Sequence, residues 1–358
     1  MPENETPESG RKGNLDLKRF SGQKKLWIII LSLIIVATVC FLVLVPIFTT
    51  KSMDDAIIRI PANADKGMVR DSVAKYLGDD YASLVMRVAS MKGSDFSERH
   101  GAYLIPKGSS PVKAERKLSS GAQQPLKIVI NGFRTPKVMA EKIAMKLDFT
   151  PDSLLNAMKN PEILDRYGVT AEQAMVLFPD ATYEVYWSTS PEELIEKTGS
   201  HFKHIWNSQR LEKAKALGLS PAEIMTLCSI VDEETNKADD KGKIGRLYIN
   251  RLQKGIKLQA DPTVKYAVGD FSLRRIKGEH LKKDSPYNTY IYKGLPPGPI
   301  RTTGEATIDS VLNSAPNDYI YMCAKDDFSG YHAFASNYDE HLKNARNYQK
   351  ALNRRGIK

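Results

Sequence analysis

An uncharged stretch near the N-terminus, Leu26 to Phe48, constrains this chain more than any other feature of its sequence. Its 23 residues would form a helix roughly 35 Å long, enough to cross the ~30 Å hydrocarbon core of a bilayer. The run is longer than the apolar part of a signal peptide and lacks a clean small-x-small cleavage site. Cys40 does not indicate a lipoprotein, because Val39 stands where a small residue is expected. The sequence therefore predicts an uncleaved transmembrane anchor at residues 26–48.

Basic residues are concentrated on the N-terminal side of this stretch. From Arg11 to Lys25 there are six lysines and arginines and one acid, Asp16, whereas the flank after the stretch has no basic surplus. An excess of positive charge marks the cytoplasmic side of a membrane. We therefore expect residues 1–25 to be a polar, mobile cytoplasmic tail and the long C-terminal part to lie on the other side.

Composition narrows the class of protein. A mean hydropathy of -0.37 excludes a protein with many membrane spans, and 26% charged with 42% hydrophobic residues is typical of a folded chain. Three cysteines are too few for a disulfide framework, although Cys228 and Cys323 could pair in an oxidising compartment. The formal net charge of +10 favours an anionic partner or surface without identifying it.

The part beyond the anchor is expected to be α+β and to have two segments. Residues 52–124 show a strand, two helical patterns and a second strand, which is typical of a small α+β module. Residues 126–356 begin with a strand and then become mainly helical, interrupted by an aromatic and proline-rich loop at Phe178 to Tyr183. A hairpin across Tyr319–Cys323 and Tyr331–Ala335 is predicted near the end, before a last helix that starts at Asn337.

The most informative helix carries three adjacent acids at its end. Ser220, Pro221 and Glu223 form a helix start with a capping box. The apolar stripe through Leu227, Ile230 and Val231 continues onto Glu234, whereas Asp232 and Glu233 are expected to face solvent. A carboxyl on the buried face would be desolvated, and a raised pKa would let it act as a general acid. The residues alone leave open that Glu234 lies past the last packed turn and is solvated.

Later segments suggest a carbohydrate site more than a metal site. Residues 258–263 are expected to form a short strand and the Asp-Pro start of another helix, with Asp261 as its N-cap. The segments 287–290 and 294–300 form a stiff loop with aromatic rings and amides, which suits sugar binding but also a structural turn. His201 and His204 lack ligand partners at zinc spacing. The basic cluster between Arg274 and Lys283 is expected to be a solvated face. Its expected position outside the cytoplasm argues against nucleic acid as a partner.

Six motifs in this order resemble the YceG-like family of endolytic murein transglycosylases, and the resemblance spans roughly residues 128–348. The motifs are Ser229–Thr235, Ile249–Leu252, Leu258–Thr263, Tyr287–Tyr290, Gly294–Gly298 and His332–Phe334. The chain departs from the family pattern at three places. Asp232 replaces the more usual Glu, and Asn131-Gly132 occupies the place where the family commonly has Glu-Gly. The segment Phe178–Tyr183 reads Phe-Pro-Asp-Ala-Thr-Tyr, whereas the family usually has Phe-Pro-Asp-Thr-Tyr.

The resemblance implies the chemistry. Glu234 would be the catalytic acid/base that cleaves the MurNAc–GlcNAc bond, leaves 1,6-anhydroMurNAc ends and so limits glycan strand length. The residues expected to bind the glycan are Gln259, Asp261, Tyr287, Asn288, Thr289 and His332. The resemblance further implies a LysM-like module at 52–124, a catalytic domain at 126–356, and no metal or cofactor. The expected partners are peptidoglycan glycan strands and the inner membrane, and peptidoglycan synthases are candidate protein partners. The C-terminal domains are expected to lie in the periplasm.

Two other functions stay open on the sequence. A hydrolytic muramidase would use a second carboxylate such as Asp261 to activate water. A non-catalytic wall-binding scaffold would use the small module and the basic surface to hold glycan or synthetic enzymes. Reducing ends after cleavage would indicate the first, and glycan retention without cleavage would indicate the second.

Overall fold

A computed structural model describes residues 14–273 and 275–356, with side chains from residue 22 onward. Helix α1, Asn14–Thr49, contains a segment from Gly22 to Thr49 that is long and apolar enough to cross a membrane. The helix includes residues 14–25, so this part of the predicted mobile tail is helical; residues 1–13 lie outside the described residues. The chain divides after Gln124 into two compact units.

From residue 14 onward, where the structure describes it, the first unit contains a two-stranded antiparallel sheet and three helices besides α1. Ile58 of one strand lies opposite Tyr103 of the other, and both are buried in the core of this unit. Asp65 and Ser110 cap two of the helices by accepting backbone N–H groups, as short polar side chains do at helix starts. The predicted strand–helix–helix–strand order is confirmed. The elements are β1 Ala56–Ile60, α2 Lys66–Leu77, α3 Asp79–Lys92, β2 Gly101–Ile105 and α4 Pro111–Ser119.

The second unit is helix-rich, with two short sheets. Five of its helices begin with proline directly after a Thr, Asn or Ser cap, because proline at the first helical position loses no internal hydrogen bond. The elements are β3 Leu126–Ile130, α5 Pro136–Ala144, α6 Pro151–Ala157, α7 Pro161–Leu164, β4 Ala181–Val185, α8 Pro191–Ile205, α9 Ser208–Ala216, α10 Pro221–Glu234, α11 Ala238–Gln253, α12 Asp261–Val268, α13 Gly278–Leu281, α14 Glu305–Leu312, β5 Tyr321–Ala324, β6 His332–Ala335 and α15 Tyr338–Arg354.

The strands of this unit agree with the sequence in part. The hairpin β5–β6 is confirmed, with Cys323 opposite Ala333. The predicted loop at 178–183 was wrong at its end, because β4 begins at Ala181 and pairs antiparallel with β3. In the segment 258–263 the predicted Asp-Pro helix start is confirmed by α12, whereas the predicted strand before it does not form, because residues 258–260 have no ladder partner.

Helix α10 lies in the core of the second unit. Its residues from Ile224 to Val231 are almost completely buried. The proline-rich segment packs behind it, where the backbone N–H of Ile300 donates to Ser229 Oγ at 3.0 Å. In the same segment Gly298 touches the backbone of Glu172 so closely that a Cβ would lie 1.9 Å from that carbonyl oxygen. The loop therefore supports the helix that carries the three acids.

Gly298→Ala should destabilise the second unit, because its methyl group would overlap backbone that cannot rotate away. We expect a loss of about 1–3 kcal/mol in the free energy of unfolding, the usual cost of overpacking. Denaturant unfolding of the full chain in detergent, followed by fluorescence, reports on this unit through the buried Trp187 and Trp206. Gly278→Ala is the control, since nothing lies within 4 Å of its Cβ position. Equal stability of the two variants would contradict the packing described here.

Candidate active site

The three acids at the end of α10 have different surroundings, and Asp232 is the most securely bound. Its carboxylate accepts from Lys241 Nζ at 2.6 Å, Thr303 Oγ1 at 2.5 Å and Thr307 Oγ1 at 2.6 Å. It is 9% exposed, so the prediction that it faces solvent was wrong. A lysine and two hydroxyl donors replace the hydration that this carboxylate loses on burial. Asp232 therefore ties α10 to α11 and α14.

Glu233 is also paired with cations. Its carboxylate contacts the guanidinium groups of Arg134, at 2.9 Å, and Arg301, at 3.2 Å. Its side chain is only 11% exposed, so the expected solvated position was wrong here as well. Two arginines from distant segments compensate the loss of hydration, which a buried acid requires.

Glu234 lacks such compensation. Its Oε1 accepts a hydrogen bond of 2.6 Å from the hydroxyl of Tyr248 on α11, and no cation among the described residues forms an ion pair with it. Burial raises the pKa of Glu234 to about 7; the Tyr248 hydrogen bond opposes this shift and the charge of Asp261 adds to it. Glu234 is the last residue of α10, where the negative end of the helix dipole also disfavours a carboxylate. The helical phase thus led to the acid that can hold a proton near neutral pH.

A cleft of about 310 Å³ opens at Glu234. Four of the residues predicted for the site line it, namely Glu234, Gln259, Asp261 and His332. One wall comes from α10 to α12 and the other from the hairpin β5–β6. Gln259 has a left-handed backbone with φ of 51°, which is uncommon for a residue other than glycine. Its N–H donates to Thr289 O at 3.2 Å, a contact that helps to hold this conformation.

A second hydrogen-bonded acid lies in the same cleft. The hydroxyl of Tyr290 donates a hydrogen bond to Asp261 Oδ1 at 2.6 Å. Burial, together with this bond to an acid, raises the pKa of Tyr290. Asp261 is the first residue of α12 and not its N-cap, which is Ala260, so the predicted capping role was wrong. The carboxylate is instead available to the cleft.

The other three predicted residues lie behind the cleft wall. Asn288 is fully buried and donates from Nδ2 to Leu281 O and Lys283 O, which closes its own loop. Thr289 accepts from the backbone of Ala260 and bonds the hydroxyl of Thr263. Tyr287 packs on Tyr266 with ring centroids 4.6 Å apart. Thr289 thus contacts the Gln259–Asp261 segment directly, whereas Asn288 and Tyr287 hold the loop that carries Thr289.

Several residues of the site could not be selected from the sequence. Tyr248 and Tyr290 lie next to or inside quoted motifs, but only their partners identify their roles. Arg251, in the Ile249–Leu252 motif, lines the cleft and donates to the backbone oxygens of Leu258 and Ile320. It therefore joins the two cleft walls. The proline-rich segment 294–300, expected at the glycan, is not among the residues lining this cleft.

Other candidate sites of the sequence have structural explanations. No group of three or more metal-binding side chains is found among the described residues. His201 bonds Tyr183 at 2.9 Å. Cys228 and Cys323 are free thiols, the first buried and the second on the cleft wall. Of the basic cluster, Arg275, Lys277, Lys282 and Lys283 are exposed, while Arg274 lies outside the described residues.

Comparison with known proteins identifies the family. The model of the YceG-like family matches residues 59–347. The chain belongs to the YceG-like family. The resemblance inferred from the six motifs is confirmed, and so is the helix-rich α+β fold. The crystal structure of a YceG-like protein from Listeria monocytogenes matches with a TM-score of 0.54 and 25% identity, covering 81% of this chain and 98% of that one.

Two relatives have related names. An endolytic murein transglycosylase of Bacillus subtilis (strain 168) is 34% identical over 216 residues, which is 58% of this chain and 55% of the relative. A protein of the same name from Streptococcus pneumoniae serotype 2 (strain D39) is 33% identical over 173 residues, covering 47% of this chain and 31% of the relative. The chain thus matches about half of the first relative and about a third of the second.

The titration of Glu234 tests the site directly. In the full chain in detergent, carbon-13 NMR of labelled Glu carboxyl groups should give Glu234 a midpoint near 7, because burial favours its neutral form. Tyr248→Phe should move the midpoint higher, since the lost hydroxyl stabilises only the charged form. Tyr292→Phe is the control, because Tyr292 bonds the exposed Asp284. A midpoint in the ordinary range of glutamate in the wild type would show that water solvates the Glu234 carboxyl and that its pKa is not raised.

Proposed function

We propose that this protein is a membrane-anchored lytic transglycosylase of peptidoglycan. The observation that carries the proposal is Glu234, a cleft carboxyl whose hydrogen-bond partner is a neutral phenol while both neighbouring acids are paired with cations. Family membership and the names of the two relatives support the same substrate and reaction. A protonated acid next to a glycosidic oxygen is the group that bond cleavage requires.

In the proposed reaction, protonated Glu234 donates its proton to the oxygen between MurNAc and GlcNAc. The bond from this oxygen to C1 of MurNAc breaks, and C1 acquires oxocarbenium character. The 6-hydroxyl oxygen of the same sugar then bonds C1, and its proton passes to the Glu234 carboxylate. The products are a free 4-hydroxyl on GlcNAc and a 1,6-anhydroMurNAc end, and the acid is regenerated. One carboxylate suffices because no water has to be activated.

The other cleft residues would position the glycan. Gln259, Asp261 and His332 line the cleft beside Glu234 and offer hydrogen bonds to sugar hydroxyl and acetamido groups. Thr289 would act from behind by fixing the Gln259–Asp261 segment, and Tyr287 and Asn288 would hold the loop that carries Thr289. A glycan held in this way keeps its 6-hydroxyl near C1 and displaces water, which favours the intramolecular product.

The membrane helix would determine where the reaction takes place. The basic surplus before Leu26 supports a cytoplasmic N-terminus and periplasmic C-terminal units. Anchored in the inner membrane, the cleft would meet strands as they are made, and internal cuts would limit their length. Residues 52–124 would form the LysM-like module and residues 126–356 the catalytic domain. Peptidoglycan synthases are the candidate protein partners, because they release strands at the same surface.

Glu234→Gln should abolish cleavage, because the amide cannot donate a carboxylic acid proton. We expect a fall of at least about 100-fold in the rate of anhydro-end formation, because general acid catalysis usually contributes a rate factor of this size. Uncrosslinked glycan strands are incubated with each variant and the ends are counted by mass spectrometry. Glu162→Gln, at an exposed glutamate, is the control. Anhydro ends at the wild-type rate from Glu234→Gln would remove this residue from its role.

The hydrolytic alternative is supported by Asp261, a second carboxylate in the same cleft. Digestion in water enriched in oxygen-18 distinguishes the two reactions. Hydrolysis places one heavy oxygen at each new reducing end, whereas attack by the 6-hydroxyl places none. We expect new ends without the label. Labelled reducing ends that disappear in Asp261→Asn would establish a muramidase, and glycan retention without any new ends would indicate a scaffold.

A further inference from the structure

A buried acid holds the histidine of the cleft. Asp240, in the first turn of α11, is 2% exposed. Its Oδ2 accepts the backbone N–H of His332 at 2.8 Å and lies 3.1 Å from His332 Nδ1. His332 is the first residue of β6, and its side chain lines the cleft together with Glu234. A carboxylate thus connects α11 to the hairpin wall through both the backbone and the ring.

The chemistry of the pair determines which ring nitrogen carries hydrogen. An aspartate carboxylate only accepts hydrogen bonds, so the nitrogen facing it must be the donor. The contact therefore requires Nδ1–H. In the neutral ring Nε2 is then a lone-pair acceptor. Nε2 makes no hydrogen bond to the residues that the structure describes, and the ring edge that bears it is the one left for a ligand.

We propose that Asp240 is a positioning residue of this site. It fixes the His332 imidazole as the Nδ1–H tautomer, so that Nε2 accepts a hydrogen bond from a hydroxyl or amide N–H group of the bound glycan. The proposal rests on the proposed function for the identity of the ligand. It adds a residue that does not line the cleft and acts only through His332, in the way that a buried aspartate orients the histidine of a catalytic triad.

The tautomer is measured without any activity. The full chain, labelled with nitrogen-15 in histidine and held in detergent, should show His332 with a hydrogen on Nδ1 and none on Nε2. Asp240→Ala should shift the hydrogen to Nε2, the form that free neutral histidine prefers, because no acceptor then faces Nδ1. Asp239→Ala, at an exposed acid one residue earlier, is the matched control. A wild-type ring with hydrogen on Nε2 would overturn the proposal.

The contact with glycan is tested in the non-cleaving Glu234→Gln background. On addition of uncrosslinked glycan strands, the Nε2 resonance of His332 should shift towards the position of a hydrogen-bonded acceptor. An Nε2 resonance that does not move while glycan binds would overturn the proposal. Failure of the proposed function would appear elsewhere, as unchanged cleavage by Glu234→Gln or as no cleavage by the wild type.

A double-mutant cycle separates positioning from mere support of the fold. Asp240→Ala should lower kcat/KM by about tenfold, the scale of one lost hydrogen bond of about 1.4 kcal/mol. Combined with His332→Ala, it should cause no further loss, because a residue that acts through His332 has nothing left to position. A further tenfold loss in the His332→Ala background would show that Asp240 serves the fold alone. The wild-type spectrum decides the tautomer even where a variant does not fold.

Discussion

The site depends on a partly buried carboxyl that has no cation in ion-pair contact among the described residues. Glu234 gives up part of its hydration and accepts a hydrogen bond from one phenol hydroxyl, and its pKa rises from 4.5 to about 7. This shift corresponds to a stability cost on the order of 3 kcal/mol once the group is charged. The unfolded chain loses the proton first, so stability is full below the unfolded pKa, is lost as pH rises, and carries the whole cost above about pH 7. The fold thus sacrifices stability to keep one proton.

The neighbouring acids explain how the helix tolerates this arrangement. Asp232 and Glu233 bind Lys241, Arg134 and Arg301, so their charges hold the end of α10 to three other segments. The proline-rich segment adds the bond from Ile300 to Ser229 on the buried side of the helix. With the helix end immobilised by these contacts, the side chain of Glu234 enters the cleft in a defined direction. Of the three consecutive acids, Asp232 and Glu233 therefore hold the end of the helix in place, and Glu234 faces the cleft.

The sequence predicted what depends on local geometry. The period of the helix led to Glu234 as the acid at the cleft, although Asp232 is the more deeply buried of the two, and the Ser220–Glu223 capping box marked where that helix begins. Strand β4 was missed because its partner β3 lies far away in the chain and supplies the hydrogen bonds that make it a strand. Asp232 and Glu233 were expected in solvent for the same reason, since their cations come from other segments. Tyr248, Tyr290 and Asp240 have no local signature, because a hydroxyl or carboxyl acquires its role from the group it meets.

The cleft is assembled from two separate stretches of chain. The acid and its phenol belong to α10 and α11, whereas the opposite wall is a ribbon of two four-residue strands much later in the sequence. A nascent chain that has not yet reached Tyr321 has the acid but only one wall of the cleft. A complete binding site at this position is therefore a property of the finished fold, acquired only when the ribbon supplies the second wall.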